Sequence, residues 1–126
     1  MALEHILIVD DDEQQHDFYT YPLAEAGYNV LCLADANAAV SYITVTPPDV
    51  LVIDYQMPVM TGLEILQHME AEGIRVRVTI MLTGTHLRTG QDARDIQPYV
   101  DLMLAKPFDP VLLRNIIIKF AADHAG

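Results

Sequence analysis

The chain has a single cysteine, Cys32, among its 126 residues, so no internal disulfide can form. Cys32 sits in an apolar stretch and reads as a small buried hydrophobe. Basic residues are scarce: seven Lys and Arg stand against 18 Asp and Glu, a net charge of −11. Binding a nucleic-acid backbone needs a basic patch, so direct nucleic-acid binding is excluded for this domain. No apolar run approaches the length that spans a bilayer, so no membrane segment is expected. The first residues lack a basic start and a long apolar stretch, so no signal peptide is expected and the chain is placed in the cytoplasm. No G-x-x-x-x-G-K-[ST] loop occurs to cradle a nucleotide, and no H-E-x-x-H pair to hold zinc. His5, His16, His68, His86 and His124 are dispersed and read as ordinary surface or packing residues. Linkers, internal repeats and low-complexity stretches are missing too, so we expect one domain over residues 1–126 with no output domain.

What is there alternates. Residues 6–9 form a short β-branched run, the mark of a strand buried on both faces. Residues 13–26 read as a helix closed by Gly27, with Pro22 inside it as a source of a kink. A strand over 28–33 and a helix over Ala36–Val45 capped by Asp35 follow. Pro47-Pro48 then breaks the chain before a strand over 50–53. After a loop, Gly62–Ala71 carries Leu63, Leu66 and Met69 at helical spacing, and Gly73 closes it. A strand over 77–82, a weak helix over 89–96 cut off before Pro98, and a short strand over 102–104 come next. Asp109-Pro110 starts a last helix running to about residue 122. Its residues Leu112, Leu113, Ile116, Ile117 and Phe120 form one stripe assigned to the core, while Val111 and Ile118 fall off it as exposed apolar residues or a partner surface. Five βα units imply an α/β fold: a five-stranded parallel sheet with helices on both faces.

Three of these strands end in charge. The first runs into Asp10, Asp11 and Asp12, the third into Asp54, and the fifth into Lys106. In an open α/β sheet the carboxyl ends of the strands are where ligands bind. Magnesium takes oxygen ligands, and Asp10, Asp11 and Asp54 supply them if the first and third strands are neighbours. A carboxylate can itself be the nucleophile for a phosphoryl group, with a lysine neutralising the transferred oxygens. Thr83, at the end of the fourth strand, can donate a hydrogen bond to such an oxygen. Taken alone, Asp10 to Asp12 fit an N-cap and an acidic helical turn equally well, and Thr83 fits a local turn better. Together with Asp54 and Lys106 they point to chemistry.

The chain resembles the receiver domains of two-component response regulators over essentially its whole length. The motifs are Ile6-Leu7-Ile8-Val9-Asp10-Asp11-Asp12, the segment from Pro48 to Gly62 around Asp54, Met81-Leu82-Thr83-Gly84 and Ala105-Lys106-Pro107-Phe108. The resemblance implies a (βα)5 flavodoxin-like doubly wound sandwich. It implies phosphoryl transfer to Asp54 from a histidine kinase or histidine phosphotransfer protein, with Mg²⁺ as cofactor. It makes Asp11 the direct metal ligand, Asp10 the acid acting through metal-bound water, and the backbone carbonyl of Gln56 a further ligand. Thr83 and Lys106 hold the phosphoryl group and relay its presence to an unidentified downstream protein. Gln56 and Thr85 occupy the positions that modulate phosphoryl lifetime. The face of the fourth helix, fifth strand and last helix is implied as a homodimer surface.

Two departures stand out. Family members usually carry Tyr or Phe three residues before the lysine, as a switch between two rotamers; here Met103 stands there. Methionine fills gaps without a bulky two-position ring, so a weaker or differently wired coupling from Thr83 to the face of the fourth helix, fifth strand and last helix is expected. The segment Pro98-Tyr99-Val100-Asp101 replaces a usual Gly-Ala pair, which predicts a short or mobile fourth helix. Two other functions remain for weighing: a docking module without phosphorylation, which the complete set of acids, lysine and hydroxyl argues against and Met103 leaves open, and a Mg²⁺-dependent hydrolase with an aspartyl nucleophile. The hydrolase needs a second acid just after the nucleophile, where Tyr55-Gln56 offers none.

Overall fold

The computed structural model describes residues 4–84 and 90–124. Five strands form one parallel sheet: β1 His5–Val9, β2 Asn29–Leu33, β3 Val50–Asp54, β4 Val78–Thr83 and β5 Leu102–Ala105, in the order β2-β1-β3-β4-β5. The helices between and after them are α1 His16–Glu25, α2 Ala36–Val45, α3 Gly62–Ala71, α4 Gly90–Ile96 and α5 Pro110–His124. The (βα)5 expectation holds.

Strand alternation sorts the core into two layers. Leu7, Val9, Leu51, Ile53 and Met81 face one side and meet α2 through Ala39 and Ile43, α3 through Ile65, Leu66 and Met69, and α4 through Ile96. Ile6, Ile8, Val50, Val52, Ile80 and Leu82 face the other and meet α1 through Tyr19 and Leu23, and α5 through Leu113 and Ile117. Because β1 pairs with both β2 and β3, the chain reverses its winding between β1 and β3. That is the crevice where doubly wound folds place ligands.

Local chemistry explains the ends. Asp35 caps α2 through Ala38 N at 2.9 Å. Thr61 and Glu64 form a reciprocal capping box on α3. Asp109 Oδ1 accepts from Val111 N at 2.9 Å, with Pro110 as the first residue of α5. Gly27 and Gly73 take positive φ of 96° and 71° just after α1 and α3, which L side chains resist. At the amino-terminal edge of the sheet Asp49 accepts from Glu4 N and His5 N, both at 2.9 Å, while its own carbonyl accepts from Arg77 N and Val78 N. Asp101 clasps Thr79 in the same way, through a carboxylate bond to Thr79 N and a backbone bond to Thr79 O.

Several expectations are corrected. The first helix opens as a 3-10 turn over Glu13–Gln15, capped by Asp12 through Gln14 N at 3.1 Å. Such tighter turns are common where helical carbonyls have not yet found i+4 partners. The α-helix then runs through Pro22 to Glu25. The fourth α-helix does end at Ile96, before Pro98 as expected, and a separate 3-10 turn over Gln97–Tyr99 follows with the proline near its start, where a missing N–H costs nothing. The fourth helix is short, as expected, at seven residues. Leu112 is not core: it is 46% exposed, beside Val111 at 40% and Ile118 at 42%. The stripe centres on Leu113 and Ile117, and Leu112 lies about 100° to one side of Leu113. Cys32 is half-buried, with its thiol 3.1 Å from Thr20 Oγ1.

Candidate functional site

The crevice between β1 and β3 carries the acids that the sequence placed there. Asp10 leaves β1 fully buried, its backbone N–H bonded to Leu33 O at 3.1 Å. Asp54 ends β3 and is 7% exposed. Asp11 follows Asp10 on the surface. One carboxylate oxygen from each of the three lies within 4.8 Å of the others. Backbone amides aim two of them: Asp12 N donates to Asp10 Oδ1 at 3.0 Å, and Gln56 N donates to Asp54 Oδ1 at 3.1 Å. Asp12 itself serves as the cap of the 3-10 turn.

Lys106 closes the site from the end of β5. Its backbone N–H bonds Thr83 O at 2.8 Å, and the peptide to Pro107 is cis. Its Nζ lies 2.7 Å from Asp54 Oδ2 and 3.0 Å from Asp10 Oδ2. Thr83, the last residue of β4, is buried, and its Oγ1 has no hydrogen-bond partner among the described residues. A buried hydroxyl left without a partner is costly, so this atom marks a place for a polar ligand. Gly62 N bonds Tyr55 O at 2.9 Å, and a side chain on Gly62 would collide with the Asp54 carbonyl oxygen. That close approach brings the start of α3 against the end of β3.

The electrostatics follow from this packing. Burial raises the Asp54 carboxyl above its ordinary range, against the lowering bond and charge of Lys106, and Asp10 adds to the rise. Burial would lower the Lys106 ammonium, but its bonds to Asp54 and Asp10 outweigh that and raise it, so it stays charged. Three carboxylates face one ammonium, which leaves two negative charges uncompensated. A hard divalent cation with an all-oxygen shell fits both that charge and that donor set.

Asp10, Asp11, Asp54, Gln56, Thr83 and Lys106 therefore meet at one edge of the sheet. Met103 lies in β5 opposite Met81, partly buried against the α3–α4 side of the core, where Tyr99 also packs. Thr85 lies outside the described residues. Two neighbours of the site escaped sequence reasoning. His16 Nε2 lies 2.7 Å from the backbone carbonyl oxygen of Asp10, so it is more than an ordinary surface residue. Tyr19 is buried on the inner face of α1, with its ring stacked on Phe108 at 5.5 Å and 10°. Burial pushes its phenol up to about 12; the charge of Lys106 opposes this, while that of Asp10 adds to the rise. The signal available was the i, i+4 pairing of Tyr19 with Leu23, both inward-facing and buried.

A family model described as the response regulator receiver domain matches residues 6–118. The chain is 30% identical over 120 residues to sporulation initiation phosphotransferase F of Bacillus subtilis, covering 95% of each. It is 29% identical to the regulatory protein AtoC of Escherichia coli, covering 95% of this chain but 25% of that protein. It is 25% identical to the phosphate regulon transcriptional regulatory protein PhoB of Pseudomonas aeruginosa, of which it spans 52%. Among solved structures, the chemotaxis response regulator CheY4 of Vibrio cholerae superposes with a TM-score of 0.83 at 26% identity, covering 94% of this chain and 98% of that one. Among the described residues no helix is long and apolar enough to cross a membrane.

Proposed function

Because the chain belongs to the response regulator receiver domain family, we propose that Asp54 is the residue on which this two-component phosphoacceptor carries its phosphoryl group. Receiver domains are signalling switches that bind Mg²⁺ at an acidic pocket and engage histidine kinases and phosphotransfer proteins. One observation carries the residue assignment. Lys106 Nζ lies 2.7 Å from an Asp54 oxygen, while the buried Thr83 hydroxyl on the neighbouring strand end has no partner among the described residues. A phosphoryl group on Asp54 satisfies both.

In this reading an Asp54 oxygen attacks the phosphorus of a partner's phosphohistidine in line with the phosphorus–nitrogen bond. That bond breaks, its electron pair leaves with the imidazole, and the imidazole takes a proton from solvent. Gln56 N, bonded to Asp54 Oδ1, holds the other oxygen away from the attack. Asp10, Asp11, Asp54 and the Gln56 carbonyl would hold Mg²⁺, which when bound would supply neutralisation of the phosphoryl oxygens. Lys106 and Thr83 bind those oxygens after transfer. Attack of water on the phosphorus then breaks the acyl oxygen–phosphorus bond, releasing inorganic phosphate and restoring the Asp54 carboxylate, with Gln56 and Thr85 governing access. The domain catalyses no other step.

The output reading follows from the same strand ends. Thr83 and Lys106 are joined by a backbone hydrogen bond, so a phosphoryl group acts on β4 and β5 together. Met103 transmits this more weakly than an aromatic ring. The exposed apolar residues Val111, Leu112 and Ile118 on α5 suit a homodimer or a downstream protein. A kinase-linked acceptor of this kind works in the cytoplasm.

Intact mass after incubation with Mg²⁺ and a small phosphodonor, beside Asp54→Asn, tests the assignment. One added phosphoryl group in the parent alone is expected. Equal addition to both proteins, or no addition even from a phosphohistidine protein, defeats it.

A further inference from the structure

His16 reaches the backbone that carries the acidic site, and the phosphoryl-transfer scheme leaves it without a role. It is the first residue of α1, directly after the 3-10 turn, and its own N–H closes that turn on Glu13 O. Side chains on a helix lean toward its amino terminus, so the ring turns back toward the end of β1. Its Nε2 lies 2.7 Å from the backbone carbonyl oxygen of Asp10, six residues earlier. A carbonyl oxygen only accepts, so Nε2 carries the hydrogen and donates. The bond is partly buried, which shields it from competing water.

We infer that His16 is a positioning residue for Asp11: by donating to the Asp10 carbonyl it fixes the Asp10–Asp11 peptide, so that the exposed Asp11 carboxylate meets those of Asp10 and Asp54. The inference rests on the reading of these acids as the Mg²⁺ site. The Asp10 carbonyl belongs to the peptide that joins Asp10 to Asp11. That unit is planar, so a grip on its oxygen also sets where Asp11 N and Cα lie. The rest of the turn is already held, with Asp10 N bonded to Leu33 O at 3.1 Å and Asp12 N to Asp10 Oδ1 at 3.0 Å. Lys106 bonds the carboxylates of Asp10 and Asp54 directly. Asp11 stands exposed one residue further on, yet its carboxylate oxygen lies within 4.8 Å of theirs. The course of its backbone decides that meeting. An acid placed in advance loses less freedom when a cation binds, whereas a peptide free to rotate has to be ordered at that moment.

The test is Mg²⁺ affinity, read by calorimetry on the full chain at one fixed pH, in His16→Leu and His16→Gln. Leucine keeps bulk and removes the donor. Glutamine brings an amide N–H to about the reach of the imidazole Nε2 and keeps it. His16→Leu should bind Mg²⁺ roughly tenfold more weakly, the low end of what an outer-shell partner contributes, while His16→Gln stays within about twofold of the parent. In an Asp11→Ala background His16→Leu should cost little further, because the acid it places is gone. His16→Ala carries the same comparison if the leucine variant does not fold. Parent-like affinity in His16→Leu overturns the inference. So does an equal loss in His16→Leu and His16→Gln, which would assign the effect to packing of the imidazole, and so does an equal loss with and without Asp11. A parent that binds no Mg²⁺ defeats the reading of the acids and this inference with it. Failure of the Asp54 reading shows separately, as a parent that binds Mg²⁺ but accepts no phosphoryl group.

Discussion

Asp54 is a carboxylate that the fold makes uncomfortable. Burial and the nearby Asp10 raise its pKa, although Lys106 bonds it directly. A raised carboxyl pKa means that the protonated form stabilises the fold. That contribution is fully present below the unfolded pKa and is lost as pH rises through the folded pKa. At neutral pH without metal, ionised Asp54 therefore opposes folding. Asp54→Asn, neutral at every pH, should melt above the parent at pH 7 without Mg²⁺, and the gap should close in acid as the parent protonates. Saturating Mg²⁺ should raise the parent more than the variant. Thermal melts across pH, with and without the cation, check this; a variant that melts below the parent at pH 7 without metal contradicts it. Asp10, Asp54 and Lys106 were legible as residues because each follows an apolar strand. Tyr19 behind them was not, since nothing in a helical repeat tells a phenol beside the site from any other packing residue.

The loop from β3 to α3 bears a cost of its own. Met60 N bonds Pro58 O at 2.8 Å across Val59, whose φ is 75°. This is a γ-turn in its rarer, positive-φ form. A β-branched residue there is strained, and Val59, at 79% exposed, gains no packing in return. Val59→Asn should therefore stabilise the protein by about 1 kcal/mol, seen as a higher urea midpoint at unchanged slope. An unchanged midpoint would mean that the loop relaxes the strain elsewhere. The loop itself was legible, but not the turn type, because nothing in the sequence marks a valine for positive φ. The same limit hid Leu112: a stripe at helical spacing names a face about 100° wide or more, and only packing against β5 and α1 decides where that face is centred.

At the scale of the whole molecule, order of elements and sheet type followed from alternation alone, because strands buried on both faces are continuous apolar runs and the helices between them are amphipathic. What alternation could not supply was the binding of the far edge. Burial would raise the Asp49 carboxyl, but the amides of His5 and Glu4, and then the charges of Arg77 and His5, outweigh it and hold the group below its ordinary range. A depressed carboxyl contributes stability above the unfolded pKa and loses it as pH falls through the folded pKa. Asp49→Ala should lower the melting temperature by several degrees at pH 7, with the deficit shrinking below about pH 4 as the parent protonates too. A deficit that stays constant down to acid pH would assign the effect to lost packing. The position of Asp49 has a wider meaning. Together with Asp101 it sews β1, β3, β4 and β5 along a single margin, as a spine holds the leaves of a book. Leaves so bound part at the fore-edge, and there Asp54, Thr83 and Lys106 stand. On the proposed reading of Asp54, a phosphoryl group would act at that outer margin, on the ends of β4 and β5 that Lys106 and Thr83 join, while the stitched margin stays fixed.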